Sequence, residues 1–295
     1  MISILVCSIR PQQVAALEHN LGQTVGVGFE LLVRDNRATG EGICSVYNQL
    51  AAQAKGDLLC FVHEDVAFET PGWGERLAAL LARPEVGVVG VAGANLLNRL
   101  PSGWADSGPS YRRMHLTQQD GEHRYPYFQQ PEGETESPVV VLDGVFLACR
   151  KEVWQAHPFD EATFDGFHFY DLDFSLSVFQ SGLVNLVSAQ MDLVHFSRGA
   201  YNTTWVRYAE VFYRKWAGHL PAAVSMPDAP EIRKSRAYNL YNYCRLLIRC
   251  KAPEDLIRQR MEQFATEFPL DIRQLLLTIK KRVRPLRHYD TYDAE

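Results

Sequence analysis

Short apolar runs alternate with helix-spaced segments through the first 95 residues, and each run stops at a polar cluster; no other feature of the chain restricts its fold so strongly. Ile2 to Ser8 is bounded by Arg10-Pro11 and predicts a buried strand entering a loop. Val14, Leu17 and Leu21 give helical spacing over Gln12 to Leu21. A second run, Phe29 to Val33, ends at Arg34-Asp35-Asn36. Ile43 to Ala54 sets Ile43, Tyr47, Leu50 and Ala51 on one helical face and stops near Gly56. Leu58 to Val62 runs straight into His63-Glu64-Asp65, and a helix over Trp73 to Leu81 precedes a strand over Val86 to Val91. Alternation of this kind predicts a parallel sheet with helices on both faces. Ligands of such sheets collect at the carboxyl ends of the strands. Ser8 and Arg10, Asp35 and Asn36, and His63 to Asp65 are therefore expected along one edge.

Beyond this region, residues 96 to 138 are rich in Gly, Pro, Ser, Gln and aromatics with weak periodicity, and read as a substrate-facing loop or hairpin. Val139 to Arg150 predicts a strand with Asp143-Gly144 in its middle. A short helix, an acidic-aromatic stretch, a helix ending near Gln180 and a strand over Leu186 to His195 follow. From about Thr203 the pattern is helical, interrupted at Pro221 and Pro227.

Charge narrows the partners. Residues 231 to 295 carry 14 Lys/Arg against 9 Asp/Glu, a balance of +5, and the preceding part carries 16 against 26, or −10. An acidic body disfavours nucleic acid and favours a cation site. The basic tail, Lys280-Lys281-Arg282, Arg284 and Arg287 after Leu275 to Ile279, reads as a solvated helix end or as a peripheral contact with anionic lipid. Six cysteines without CxxC spacing are expected to be buried free thiols. Arg10 cuts the first apolar run short, so neither a secretory signal nor a membrane span is expected, and a cytoplasmic location follows.

Three clusters carry chemistry. In His63-Glu64-Asp65, imidazole and carboxylates directly after a buried strand suit Mn²⁺ or Mg²⁺ accompanied by substrate phosphates; the alternative is a solvated turn. HExxH does not apply, because Ala67 stands four residues after His63. Phe167-His168-Phe169-Tyr170-Asp171-Leu172-Asp173-Phe174 opens a helix, where Asp171 and Asp173 serve either as caps or as carboxylates tuned to take a proton. Val194-His195-Phe196 ends a strand, and His195 is either structural or a metal ligand.

Taken in order, these segments resemble a glycosyltransferase of the GT-A fold, of the family 2 kind, over roughly residues 1 to 200. The resembling features are the Ile2 to Arg10 strand and turn, Arg34-Asp35-Asn36, Lys55-Gly56-Asp57, His63-Glu64-Asp65 at the family's Asp-x-Asp, Asp143-Gly144 to Lys151, Phe159-Asp160-Glu161 and Tyr170-Asp171-Leu172-Asp173. Two positions depart from the family's pattern: His63 replaces an Asp and Tyr170 replaces a Glu.

The resemblance implies an α/β GT-A fold, a mixed and mostly parallel sheet flanked by helices with a helical C-terminal extension. It implies a catalytic domain over 1–200, divided into a nucleotide-binding half (1–95) and an acceptor half (96–200), followed by an extension over 201–295. Ser8, Arg10, Asp35, Asn36, Glu64 and Asp65 would bind a nucleotide diphospho-sugar, a UDP-sugar above all. Asp65, His195 and His63 would hold the Mn²⁺ or Mg²⁺. Asp171 would be the general base, with Asp173 beside it in the catalytic set, and Asp143, Gly144 and Trp104 would meet a glycan or other hydroxyl acceptor. The implied activity is sugar transfer with inversion. The alternative is a non-catalytic nucleotide- or sugar-binding module of the same fold, which the two departures favour. A nucleotidyltransferase is disfavoured because Ser8-Ile9-Arg10-Pro11-Gln12 lacks the glycine-rich loop that such enzymes use.

Overall fold

The computed structural model describes residues 1–197, 199 and 201–269; the basic segment after Leu275 lies outside them. In chain order the elements begin β1 (Ile2–Ser8), α1 (Pro11–Thr24), β2 (Phe29–Asp35), α2 (Ile43–Gln53), β3 (Leu58–Val62), β4 (Val66–Phe68), α3 (Trp73–Leu81), β5 (Val86–Gly90), β6 (Ala92–Ala94) and β7 (Leu96–Leu97). Next come β8 (Arg112–Asp120), β9 (His123–Gln129), β10 (Glu136–Val139), β11 (Val141–Leu142), β12 (Phe146–Arg150), α4 (Lys151–Ala156), α5 (Tyr170–Gln180), β13 (Val184–Ser188) and β14 (Leu193–His195). The last are α6 (Thr203–Lys215), β15 (Ala222–Ala223), α7 (Ala229–Arg249) and α8 (Glu254–Glu267). They form two compact units, 1–95 with 112–197, and 96–111 with the chain from 198 onward.

In the first unit, the described strands build a seven-stranded sheet in the order β10-β13-β5-β12-β3-β1-β2. β1 runs parallel to β2 and β3, and β13 parallel to β5, whereas β12 and β10 pair antiparallel with their neighbours. Ser8 pairs with Asp35 in register, so the carboxyl ends of β1 and β2 share the edge where β3 delivers His63. The apolar runs are continuous because both faces of this sheet are covered; Ile4, Leu5, Val6, Leu59, Phe61 and Val62 are fully buried.

Alternation in the sequence did not announce a second sheet. It runs β11-β6-β8-β14-β4, with β9 hairpinned onto β8. Two segments read as single strands each divide between the sheets. Val139 to Arg150 breaks at Asp143 to Val145, where the Asp143 carboxylate accepts a bond from the Val145 N–H at 3.0 Å, so β11 joins one sheet and β12 the other. Leu186 to His195 breaks after Ser188, where Gln190 N–H bonds the Ser188 hydroxyl at 3.1 Å and Asp192 N–H bonds the Thr70 hydroxyl at 2.8 Å. In both places a side chain satisfies backbone that would otherwise continue the ladder. Most of the 96–138 excursion is accounted for by the β8–β9 hairpin and the helical turns before it.

The second unit is mainly helical. Asn202 caps α6 by accepting from Trp205 N–H at 2.9 Å, and Asp228 caps α7 by accepting from Glu231 N–H at 3.0 Å. Glu210 on α6 binds Arg260 of α8 at 2.6 Å and the Tyr243 hydroxyl of α7 at 2.8 Å, so one carboxylate joins three helices. Leu100, Leu240, Cys244, Phe264 and Phe268 form the apolar cluster between α7 and α8. No helix among the described residues is long and apolar enough to cross a membrane.

Candidate active site

β3 and β4 are separated by three residues, so His63, Glu64 and Asp65 span the step from one sheet to the other. Glu64 turns toward β1. Its carboxylate accepts from the Ser8 hydroxyl at 2.6 Å and from the N–H groups of Ile9 and Arg10 at 3.2 and 2.9 Å. These bonds offset the cost of burying the carboxylate, and they hold the β1–α1 turn in place. Ser8 and Glu64, both expected at the donor, are thus engaged with each other. Asn36 is engaged in the same way, accepting from the Thr39 hydroxyl at 2.8 Å and Glu41 N–H at 2.9 Å while donating to Glu41 O at 2.8 Å. Asp35 stands exposed at the end of β2. Side-chain and backbone bonds from Arg37 lower its carboxyl to about 2. Arg10 is exposed where α1 begins.

His63 and Asp65, on either side of Glu64, meet His195. The antiparallel β4–β14 register sets His195 opposite Val66, and Phe196 N–H bonds Asp65 O at 3.0 Å. His195 Nε2 lies 3.4 Å from Asp65 Oδ1, and the His63 and His195 rings are 5.7 Å apart. One ligand atom from each of His63, Asp65 and His195 falls within 4.8 Å of the others. Burial opposes ionisation of Asp65, but the His195 bond, the charges of His195 and His63 and the Ser197 hydroxyl outweigh it and hold the carboxyl far below its ordinary range. Burial, then the neighbouring His195, lowers His63. Two imidazoles and one carboxylate form a donor set that fits a divalent metal.

The second half of the site hangs on the start of α5. Tyr47 and Phe159 pack edge-on or tilted against Tyr170, with ring centroids 5.8 and 6.0 Å from it, and Phe61 and Phe174 pack behind them. Phe169, the residue before α5, sits at φ 67°, a left-handed conformation that costs a bulky side chain roughly 1–2 kcal/mol. Its ring is nonetheless buried, which fixes the direction in which the helix leaves. Asp171 then accepts from Gly144 N–H at 2.9 Å, and the Tyr170 hydroxyl donates to Gly144 O at 3.0 Å. Burial and the adjacent Asp143 push the Asp171 carboxyl up to about 7, against the lowering effect of backbone N–H groups. Asp173 lies two residues on, about 200° around the helix axis. It is buried on the α2 side, where, after burial itself, its charge weighs most on the Cys44 thiol and raises it.

Gly144 has no room for a side chain: a Cβ there would collide with the Tyr170 hydroxyl and lie 2.6 Å from its ring carbon. Gly144→Ala is expected to cost about 1–3 kcal/mol in denaturant unfolding by overpacking. Tyr170 and Asp171 would be displaced with it, so donor turnover should fall as well; a variant with unchanged stability would contradict this geometry. Trp104 belongs to the second unit, in the buried turn Trp104–Ser107, and is not among the groups gathered in the first. Reasoning from the sequence missed Gln118 of β8, which donates to the backbone oxygens of His195 and Ser197, because no local signal links a strand residue to one 77 positions away. It also missed the exposed Phe167, whose ring is 5.8 Å from that of His63.

A mixed sheet that carries an imidazole–carboxylate link after its third strand, a late histidine beside it and a raised carboxylate at a helix start defines a protein of the GT-A class. The solved structure of GalNAc-T7 with UDP, GalNAc and Mn²⁺ shares this fold, with a TM-score of 0.50 at 11% identity over 93% of this chain and 57% of that one. Residues 3–216 match the glycosyltransferase-like family, and the chain belongs to it. The mannosyltransferase PcManGT from Pyrobaculum calidifontis, in complex with GDP-Man and Mn²⁺, aligns over 95% of this chain and 79% of its own at 14% identity and a TM-score of 0.48. O-antigen biosynthesis protein RfbC of Myxococcus xanthus is 28% identical over 193 residues, 59% of this chain. The aligned part is 14% of that relative's length.

Proposed function

We propose that the chain transfers a sugar from a nucleotide diphospho-sugar, a UDP-sugar, to an acceptor hydroxyl with inversion at the anomeric carbon. The observation that carries this reading is the pairing of two groups in one unit: the His63, Asp65 and His195 cluster and, joined to it through Tyr170, a carboxylate raised to about 7. UDP and Mn²⁺ accompany GalNAc-T7, whose fold this chain shares, and the kinship with an O-antigen biosynthesis protein supports a glycan acceptor.

Asp65, His195 and His63 would hold the Mn²⁺ or Mg²⁺, which when bound supplies Lewis-acid neutralisation of the diphosphate leaving group. Asp35 is exposed at the strand edge to read the nucleotide base. Asp171 takes the proton of the acceptor hydroxyl as its oxygen attacks the anomeric carbon. The bond from that carbon to the diphosphate oxygen breaks, and the nucleoside diphosphate departs with the electron pair. A base with a pKa near the working pH is close to the best compromise between being ionised and being basic enough. One displacement needs no enzyme nucleophile.

Calorimetry of UDP and GDP with and without Mn²⁺, run beside a donor-hydrolysis assay, tests the reading. Metal-dependent nucleotide binding with turnover is the expected result. Binding without turnover would identify a non-catalytic module instead, and no metal-dependent binding would defeat both.

A further inference from the structure

The two positions at which this chain departs from its family's pattern, His63 and Tyr170, lie 107 residues apart in sequence, yet they touch: His63 Nε2 is 3.1 Å from the Tyr170 hydroxyl. Tyr170 has one proton. Gly144 O, 3.0 Å away, can only accept, so the proton goes there. The phenolic oxygen is then an acceptor, and His63 must present Nε2 as N–H. That leaves Nδ1 as the ring nitrogen not engaged by Tyr170.

The same logic settles the second imidazole. Gln118 is buried, and one end of its amide bonds the backbone oxygens of His195, at 2.9 Å, and Ser197. Both oxygens only accept, so that end is the NH₂ group and the other is the carbonyl. The carbonyl oxygen lies 3.2 Å from His195 Nδ1, which therefore carries the proton. His195 Nε2 is thereby turned to Asp65 Oδ1, 3.4 Å away, and to the Ser197 hydroxyl, also at 3.4 Å.

We propose that Tyr170 and Gln118 are positioning residues that preset the His63 and His195 imidazoles for a first-row transition ion such as Mn²⁺ or Co²⁺ in preference to Mg²⁺. The inference rests on the metal-holding part of the function proposed above. Its chemical ground is the donor set: imidazole nitrogens suit transition ions, whereas Mg²⁺ keeps to oxygen ligands and water. Partners that orient ligating histidines also contribute to affinity, typically about 10–100-fold.

The test is a Co²⁺ titration of the full chain without nucleotide or donor, followed by visible absorption, with Mg²⁺ as competitor. Wild type is expected to bind Co²⁺ at least about 10-fold more tightly than Mg²⁺. Tyr170→Phe keeps the ring in its aromatic cluster and should weaken Co²⁺ about 10–100-fold with a changed absorption band. In a His63→Asp background the same substitution should change affinity less than about 2-fold, because its partner is gone. Gln118→Leu should weaken Co²⁺ independently of His63. Equal Co²⁺ and Mg²⁺ affinity, wild-type Co²⁺ binding by Tyr170→Phe and Gln118→Leu, or an undiminished Tyr170→Phe effect beside His63→Asp would each overturn the proposal. These readouts contain no donor, so a failed transfer assay with intact metal selectivity would count against the proposed function alone.

Discussion

Asp171→Asn is expected to lower sugar transfer roughly 10²–10⁴-fold while nucleotide binding is kept, the range for loss of a positioned general base. Because the carboxyl titrates at about 7, wild-type turnover should rise as pH increases through that value and level off above it. The variant should lose this step in its profile. Stability runs the opposite way. The folded carboxyl sits above its unfolded value of 3.8, so the native state binds the proton more tightly and wild-type stability falls as pH rises from about 4 to 7. An amide at 171 escapes that cost while still accepting from Gly144 N–H. Asp171→Asn should therefore raise the melting temperature more at pH 8 than at pH 5. A variant that transfers normally, or one stabilised equally at both pH values, would remove Asp171 from the role of base.

Asp65→Asn should be as damaging through a different route. It removes the carboxylate from a set otherwise made of two imidazoles, so Mn²⁺ affinity is expected to drop by more than about 100-fold, beyond the range for losing an orienting partner. At a Mn²⁺ concentration 100 times the wild-type Kd, the ion stabilises the native state by about 2.7 kcal/mol, and the variant should lose nearly all of it. Thermal melts with and without Mn²⁺ measure this directly. Without metal, Asp65→Asn should also be less stable than wild type at neutral pH: the depressed Asp65 carboxyl contributes stability above its unfolded value of 3.8, and that contribution is lost only as pH falls toward the folded value. A wild-type Mn²⁺ response from Asp65→Asn would place the ion elsewhere.

Much of this site was legible before any coordinate was known. Asp65, His63 and Asp171 stand at ends of apolar runs, and a polar side chain at that position has to face a sheet edge or a helix start. The bonds by which Glu64, Ser8 and Asn36 hold the turns of β1–α1 and of residues 36–41 were not legible. Asp171 and Asp173 leave the helix about 200° apart, a separation that helical spacing gives directly.

Hydrophobic periodicity determined the alternating architecture and the edge on which polar groups gather, and composition the acidic character of the body, because these follow from local spacing and residue counts. Tertiary structure alone decided that Val139 to Arg150 and Leu186 to His195 each split between two sheets, that β14 carries His195 to Asp65, and that Tyr170 meets His63. Those outcomes depend on pairings between segments roughly 100 residues apart, settled by packing and backbone hydrogen bonds that no local stretch of sequence encodes.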